Sequence, residues 1–204
     1  MISVASLVAG STVAISCGYE DPNGADVARG FLNWSYPNAL YVTSAVWRAQ
    51  SDGVIPANES VPNVKVLLGY DYRQSVNKLD VLRAGLIVAA GRQSTPVFSM
   101  VLIGPMLWTR FEGIGTALTM TPHVNGPSKG DVVVITDEPV VAALIDKRVT
   151  PQVARELGLI RFYGPLEAVQ EMTSWLDRLG AEEAANALTT ITDPRHAQPL
   201  RYTP

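Results

Sequence analysis

Cysteine and histidine are nearly absent from this chain of 204 residues. The only cysteine is Cys17, so the chain forms no internal disulfide and has no thiolate cluster that binds a metal. The two histidines, His123 and His196, are far apart and belong to no HExxH-type motif. These absences exclude the common metal and redox motifs, and the sequence predicts neither a metal nor a cofactor.

Charged residues are also scarce. They make up 17% of the chain, against an average of about 25%, and the net charge is −3. The basic residues Arg73, Lys78 and Arg83 are separated by neutral residues and form no dense patch. The sequence therefore predicts no nucleic-acid partner. It favours either extensive burial or a surface that meets another molecule.

Motifs of known catalytic chemistry are missing. The sequence has no GxSxG nucleophile elbow and no GK[ST] phosphate loop. Asp137 and Glu138 fit a helix start better than an acid–base pair. Arg110 is either a cation that clamps a ligand or the outward residue of an alternating strand, and the alternation favours the second. We therefore predict no catalytic residue and a non-enzymatic function.

The N-terminal segment carries no charged side chain over residues 1–17. This run resembles the apolar core of a secretion signal and stops at Cys17, before a polar stretch. It predicts an exported, periplasmic protein with possible membrane association through the N-terminus. No basic residue precedes Arg29, however, and the run is short for a membrane span. The alternative is an internal β-hairpin over residues 2–16 in a cytoplasmic protein.

The next segment, residues 18–38, is rich in proline and glycine, and we expect a long loop there. Its aromatic residues either form a surface for a protein partner or pin the loop onto the core. The predicted partner surface consists of Phe31, Trp34, Tyr36 and Tyr41.

Two helices follow in the predicted N-terminal layer. Asn38 is a suitable cap for a helix that runs to about Gln50, with Gly53 beyond its end. A second, central helix is predicted over residues 74–90. It contains Gly85, which permits the close approach of a neighbouring element.

The second half of the chain reads as a sheet with helices. Three strands that fold back on each other are predicted over residues 96–104, 106–113 and 117–124. Residues 132–135 are a continuous β-branched run, which is typical of a strand covered on both faces.

Helix starts and stops then occur at nearly every join. Asp137 and Thr150 are placed to cap two helices, and Gly158 to end the second one. After a strand over residues 159–163, Gly164 and Pro165 open a last helix. Its apolar stripe consists of Leu166, Val169, Met172, Trp175, Leu176 and Leu179.

The segments ITDEPVVAALI, at residues 135–145, and VTPQVARELGLIRFYG, at residues 149–164, with the helix after them, resemble the C-terminal half of the sterol-carrier-protein-2-like family. Residues 97–124 would supply the antiparallel strands of that family. The chain departs from the family pattern at residues 146–148, where a glycine is usual, and at Pro165, where an acidic residue is common. The resemblance covers less than half of the chain and implies a carrier of an apolar, lipid-like molecule.

Methionine and large aromatic residues recur on the predicted strands and on the last helix. Adaptable methionines beside rigid aromatic rings suit an apolar cavity, although a filled core requires the same residue types. The predicted ligand-binding residues are Met100, Met106, Trp108, Met120, Phe162, Met172 and Trp175.

We therefore predict an α+β fold, with an antiparallel or mixed sheet, helices packed on one side and an N-terminal helical layer. Residues 1–17 form the apolar segment, residues 18–192 a single domain and residues 193–204 a tail. Within the domain, residues 18–95 are mainly helix and loop, and residues 96–180 form the sheet and its helices. The predicted function is binding or carriage of an apolar small molecule. The alternative is an extracytoplasmic accessory protein that docks a larger complex through its aromatic surface.

Overall fold

The computed structural model describes residues 17–57, 70–90, 96–113 and 117–179. Within these ranges the helices are α1 (Pro22–Ser35), α2 (Tyr41–Ser51), α3 (Tyr70–Ala90), α4 (Glu138–Ile145), α5 (Pro151–Glu156) and α6 (Leu166–Asp177). The strands are β1 (Phe98–Leu102), β2 (Leu107–Glu112), β3 (Thr119–Pro122), β4 (Val132–Thr136) and β5 (Arg161–Tyr163). The predicted α+β fold is confirmed.

The five strands form one mixed sheet in the order β3-β2-β1-β4-β5. β1, β2 and β3 are antiparallel neighbours, and β4 pairs in parallel with β1 and antiparallel with β5. In the centre of the sheet Phe98 lies between Phe111 on one side and Val132 on the other. The chain therefore leaves the edge strand β3 and crosses over to enter the sheet again beside β1.

The two faces of the sheet are covered by different helices. Successive side chains of a strand point to opposite faces, so Phe98, Met100 and Leu102 share one face, here called the inner face. Trp175 of α6 contacts Phe98 edge-on, with ring centroids 5.8 Å apart. The Trp175 Nε1 also donates a hydrogen bond to the Leu86 carbonyl of α3, at 3.1 Å. Thus α3 and α6 pack together over the inner face.

The opposite, outer face of the sheet carries Ser99, Val101 and Trp108 and meets the corner between α1 and α2. The Tyr36 ring lies 6.1 Å from Trp108 and 5.2 Å from Tyr163, measured between centroids. The Tyr163 hydroxyl donates a hydrogen bond to the Pro37 carbonyl at 2.8 Å. The N-terminal helices therefore join the outer face through their connecting turn.

Three predicted joins of the second half are confirmed. The Asp137 Oδ1 accepts hydrogen bonds from the backbone N–H groups of Glu138 at 2.9 Å and of Gly104 at 3.1 Å. Thr150 Oγ1 accepts one from the backbone N–H of Val153 at 3.2 Å. Gly158 has a φ of 73°, a left-handed conformation that favours glycine after a helix.

The long loop predicted over residues 18–38 is wrong, because α1 occupies most of it. Asp21 caps this helix, accepting a hydrogen bond from the backbone N–H of Gly24 at 3.0 Å, and Pro22 is its first residue. Proline is tolerated in the first turn of a helix, where its missing N–H has no helical partner anyway. The residues that indicated a loop thus mark a helix start.

Several predictions lie outside the described residues, namely the signal-like segment over residues 1–16, its alternative hairpin and the tail over residues 193–204. Cys17 is described and is only 3% exposed. Burial raises the pKa of its thiol, so the neutral thiol is favoured over the thiolate. None of the described helices is long and apolar enough to cross a membrane.

Candidate functional site

The predicted ligand-binding residues divide between the two sides of the sheet. Met100, Met120 and Phe162 lie on the inner face, in β1, β3 and β5, since they have the parity of Phe98 in the strand register. Met172 and Trp175 come from α6, which packs over that face. The structure therefore gathers five of the seven residues on one side of the sheet, although Met120 and Phe162 are on opposite edge strands.

The other two predicted ligand-binding residues lie elsewhere. Trp108 points to the outer face, where its ring meets Tyr36. Met106 lies in the turn between β1 and β2, with a positive φ of 50°. Both side chains are 2% exposed. Both are buried, Trp108 on the outer face and Met106 in the turn.

The inner face is packed around a cluster of aromatic rings. Phe98 and Phe111 stack in nearly parallel planes with centroids 4.5 Å apart, and neither is exposed. Trp175 closes the cluster edge-on against Phe98. Offset and edge-on contacts of this kind stabilise a core beyond the area that they bury. Met172 and Trp175 are therefore packing residues of the core, whether or not they also contact a ligand.

One polar side chain on the inner face has no hydrogen-bond partner among the described residues. Thr109 lies opposite Met100 in the strand register and is completely buried. Its Oγ1 forms no hydrogen bond within this part of the chain. Leaving a buried hydroxyl unpaired costs about 1–3 kcal/mol, so this atom is a candidate contact for a polar group of a ligand. The strand pattern gave no signal for it, because Thr109 occupies an ordinary inward position.

The predicted partner surface is exposed, except at Tyr36. Phe31 is 63% exposed, Trp34 84% and Tyr41 62%, whereas Tyr36 packs against Trp108 and Tyr163. On α1, the residues Val27, Gly30, Phe31 and Trp34 share one helix face, since they are spaced at i, i+3, i+4 and i+7. We call these four residues the α1 apolar surface.

Trp47 of α2 is a further exposed aromatic residue that the sequence analysis did not assign to a surface. It is 73% exposed. The buried side of α2 consists of Val42, Val46 and Ala49. Trp47 follows directly after Val46 and is rotated away from that side. This position on the helix was the sequence signal that Trp47 is exposed.

Arg110 lies on the outer face and is held by carboxylates. Asp131, whose side chain is 3% exposed, accepts hydrogen bonds from the Ser99 Oγ at 2.7 Å, the Arg110 Nε at 3.1 Å and the Ser128 backbone N–H at 3.0 Å. Glu112 binds the same guanidinium, with 2.5 Å between its Oε2 and the Arg110 Nη1. Arg110 is thus an ion-paired residue of the sheet.

The environment of Asp131 changes its acidity. Burial alone would raise the pKa of this carboxyl, but the hydrogen bonds from Arg110, Ser99 and Ser128 and the charge of Arg110 outweigh it and hold the pKa below its ordinary value. The bond to Asp131 in turn raises the pKa of Arg110. The pair stays ionised, which suits a structural role and leaves no proton to exchange near neutral pH.

A second polar cluster joins the N-terminal turn to α3 and α4. The Ser75 Oγ donates to Glu138 Oε2 at 2.7 Å and lies 2.6 Å from the Tyr19 hydroxyl, and the Lys78 Nζ lies 2.5 Å from Glu138 Oε1. Ser75 and Lys78 have the S-x-x-K spacing of some serine nucleophiles, a signal that the sequence analysis missed. Ser75 is completely buried and bonded to Glu138, so the cluster links the N-terminal turn, α3 and α4.

The remaining candidates for chemistry do not converge on a site. The His123 ring lies 6.2 Å from Tyr72 and its Nε2 is 3.5 Å from Glu20 Oε2, at the surface. Within the described ranges, no group of three or more histidine, cysteine, aspartate or glutamate residues is placed to hold a metal ion.

No family model, curated protein or solved structure matches this chain. Its function is therefore inferred from its own sequence and geometry.

Proposed function

We propose that this is a non-enzymatic binding protein that docks a protein partner through the α1 apolar surface. The observation that carries this proposal is the exposure of two large rings on one helix face, Trp34 at 84% and Phe31 at 63%. Single exposed apolar residues are common on protein surfaces, but aligned aromatic residues are typical of an interface.

The energy available at this surface is large. Burying a tryptophan removes about 200 Å² of mostly apolar area from water, worth about 5 kcal/mol before the entropic cost of association. Tyr41, the first residue of α2, and Trp47 on the same helix are exposed as well. Contacts to such rings form the energetic centre of many interfaces, so a partner that covers Trp34 and Phe31 would bind through them.

The polar side chains described above support a non-enzymatic role. Arg110 is bonded to two carboxylates, and Lys78 and Ser75 to Glu138. The contacts to Asp131 and Glu138 join segments that are distant in the chain, whereas Glu112 lies on the same strand as Arg110. A nucleophile or general base has to reach a substrate, and Ser75 is completely buried.

A second candidate function, carriage of an apolar small molecule, is favoured by the unpaired Thr109 hydroxyl on the inner face. Ligand sites are mostly apolar with a few placed polar groups, and here Thr109 lies opposite Met100. The succession of three antiparallel strands, β4, α4, α5, β5 and α6 is also the order that the resemblance to the sterol-carrier-protein-2-like family implies. Export and membrane association through residues 1–17 stay predictions.

Native mass spectrometry of the gently purified full chain tests both candidates. For the docking function, we expect a species heavier than the monomer by at least several kilodaltons. The double variant Phe31→Ser, Trp34→Ser should lose it, because the apolar contact area is removed. The matched control is Val81→Ser, Val88→Ser on α3, where both valines are also exposed, at 53% and 60%. This control should retain the heavier species.

The other outcomes separate the two candidates. An added mass of a small lipid-like molecule, retained by the Phe31 and Trp34 variant but reduced by Thr109→Val, would support the carrier function instead. A bare monomer for the unaltered chain would contradict docking. So would a heavier species that persists unchanged in the Phe31 and Trp34 variant.

A further inference from the structure

We infer that the partner of the α1 apolar surface is a second copy of this chain, with the two α1 helices packed antiparallel about a two-fold axis. This inference rests on the proposed docking function and names its partner. It makes the protein a symmetric homodimer in which the same surface is used twice.

The order of residues along α1 makes the surface complementary to itself. When two copies of a helix cross antiparallel, residues whose numbers add to the same sum lie opposite each other. With the axis between Gly30 and Phe31, Phe31 of each copy faces Gly30 of the other. Trp34 likewise faces Val27 of the other copy. Each large ring thus meets a small or medium residue, which is the alternation that lets helices interlock.

Gly30 has no evident role within the single chain. It lies inside α1, where glycine is less favourable than alanine. A Cβ built on Gly30 meets no atom of the described residues within 4 Å, and its φ is not in the left-handed range. The fold of one copy would therefore accept a side chain here. A closely approaching ring from another helix gives the glycine a reason, because it leaves room for that ring.

The exposed rings supply about half of the area that a stable dimer needs. From their exposed fractions of 63% and 84%, Phe31 and Trp34 together leave about 300 Å² in water, if each such ring has about 200 Å² to bury. Two copies bury about 600 Å² through these rings alone. Val27, which is 61% exposed, and the polar rim would supply the rest of the about 1,200 Å² at which specific interfaces begin.

The charges beside this surface are compatible with self-association. The four residues of the α1 apolar surface are uncharged. The nearest charges along the helix, Asp26 and Arg29, form an ion pair within the chain, with 2.6 Å between Oδ1 and Nη1. Arg29 also donates to the carbonyl oxygens of Ile103 and Gly104. Two copies can therefore meet without burying an unpaired charge.

The first test measures the mass of the full chain by sedimentation over a wide range of micromolar concentrations. We expect a dimer of the 22.0 kDa chain. Gly30→Leu should weaken association by about 30-fold or more, since it fills the space that Phe31 of the other copy occupies. The single chain has room for this leucine, so its circular dichroism should be unchanged. The control, Ala84→Leu, places a leucine at an exposed position of α3 and should remain a dimer.

The second test reports the orientation of the helices. Gly30→Cys places thiols of the two copies next to the two-fold axis, within the Cα separation of about 7 Å that a disulfide tolerates. This variant should form a disulfide-linked dimer readily under mild oxidation. Val27→Cys should not, because antiparallel packing separates its two thiols by about 10 Å along the axis. The unaltered chain is the control, since its own Cys17 is buried.

Three results would overturn the inference. These are a monomer at all concentrations, a dimer that Gly30→Leu leaves intact, and disulfide formation that is equal for Gly30→Cys and Val27→Cys. The proposed docking function fails separately, if substitution of Phe31 and Trp34 leaves every heavier species in the native mass spectrum unchanged. A third outcome separates the two proposals. If the chain forms no homodimer but binds a different protein, and loses it when Phe31 and Trp34 are substituted, docking is retained and the second copy is excluded.

Discussion

The N-terminal helices and the sheet use the same residue types in opposite ways. Trp34 and Trp47, on α1 and α2, are 84% and 73% exposed, whereas Trp108 and Trp175, on β2 and α6, are 2% and 1% exposed. The rings of the sheet half are covered by α3 and α6 on one face and by the α1–α2 turn on the other. The outer sides of α1 and α2 have no such cover in the described part of the chain. The rings that stabilise the fold and the rings that stay exposed thus lie in different regions.

Two of the ion pairs show the same contrast. Asp131 and Arg110 pair on the sheet with the Asp131 side chain 3% exposed, whereas Asp26 and Arg29 pair on α1 with the Asp26 side chain 70% exposed. Ion pairs in water stabilise little, and removing one partner of a buried pair is costly. Matched substitutions in the two regions therefore provide a direct test of the comparison.

The largest difference is expected for tryptophan. Trp175→Ala should lower the free energy of unfolding by about 3–5 kcal/mol, because it opens a cavity beside Phe98 and removes the hydrogen bond to the Leu86 carbonyl. Trp34→Ala should change it by no more than about 0.5 kcal/mol in the monomer. Urea denaturation monitored by circular dichroism, at concentrations low enough to keep the chain monomeric, measures both.

These two variants can also break the comparison. If Trp34→Ala destabilised the monomer as much as Trp175→Ala, then Trp34 would be covered within a single chain and the α1 apolar surface would not be free to bind. Trp175→Phe serves as the conservative control. It keeps a ring against Phe98 and should recover part of the lost stability.

An intermediate difference is expected for the two aspartates. Asp131→Asn should cost about 2 kcal/mol at neutral pH, since it removes the charge that faces Arg110 and disturbs the bonds from Ser99 and Ser128. Asp26→Asn should cost about 0.5 kcal/mol or less, because its pair with Arg29 is largely exposed. Denaturation midpoints of the two variants give the values.

The pH dependence provides the control for this pair. The pKa of Asp131 is lowered in the folded state, so its stabilisation is complete above the unfolded value of about 3.9 and is lost as the pH falls through the lower folded pKa. The gap in stability between the unaltered chain and Asp131→Asn should therefore shrink below about pH 4. A gap that is constant from neutral pH to pH 3 would show that the carboxylate charge is not the source of the stabilisation.

Much of the sheet half was predictable because its signals are local. Asp137, Thr150 and Gly158 act within a few residues of their own positions, as helix caps or a left-handed stop, and the strand at residues 132–136 is buried on both faces. Such chemistry can be recognised without knowing the rest of the molecule. The same locality misled the prediction at Pro22 and Gly24, because proline and glycine occur at helix starts as well as in loops.

The candidate site was less predictable, because it depends on contacts between distant segments. Tyr36 was grouped with Phe31 and Trp34 by proximity in sequence. Its ring instead packs against Trp108 of β2 and Tyr163 of β5. The ion pair between Arg110 and Asp131 likewise joins residues that only the sheet register brings together. The sequence likewise does not determine whether Trp34 is exposed or buried, since an aromatic residue can also anchor a segment to the core.

The smallest difference is expected for two glycines inside helices. Gly30→Ala on α1 should stabilise the monomer by up to about 1 kcal/mol, because alanine is the better helix former and none of the described residues lies near its Cβ. Gly85→Ala on α3 should gain less than about 0.5 kcal/mol or nothing, since its Cβ would lie 2.9 Å from the Leu179 Cδ1, which has to move. Thermal unfolding of the two variants at low concentration measures the difference.

In the dimer, the sign at Gly30 should reverse. The added methyl group of Gly30→Ala lies against Phe31 of the other copy, so it should weaken association while it stabilises the isolated chain. Gly85→Ala lies under Leu179 and should leave association unchanged. A Gly30→Ala variant that is more stable and also dimerises as tightly as the unaltered chain would show that the glycine does not serve the contact. The contrast between a sheet whose rings are buried within one chain and an α1 surface that a second copy buries would then lose its main support.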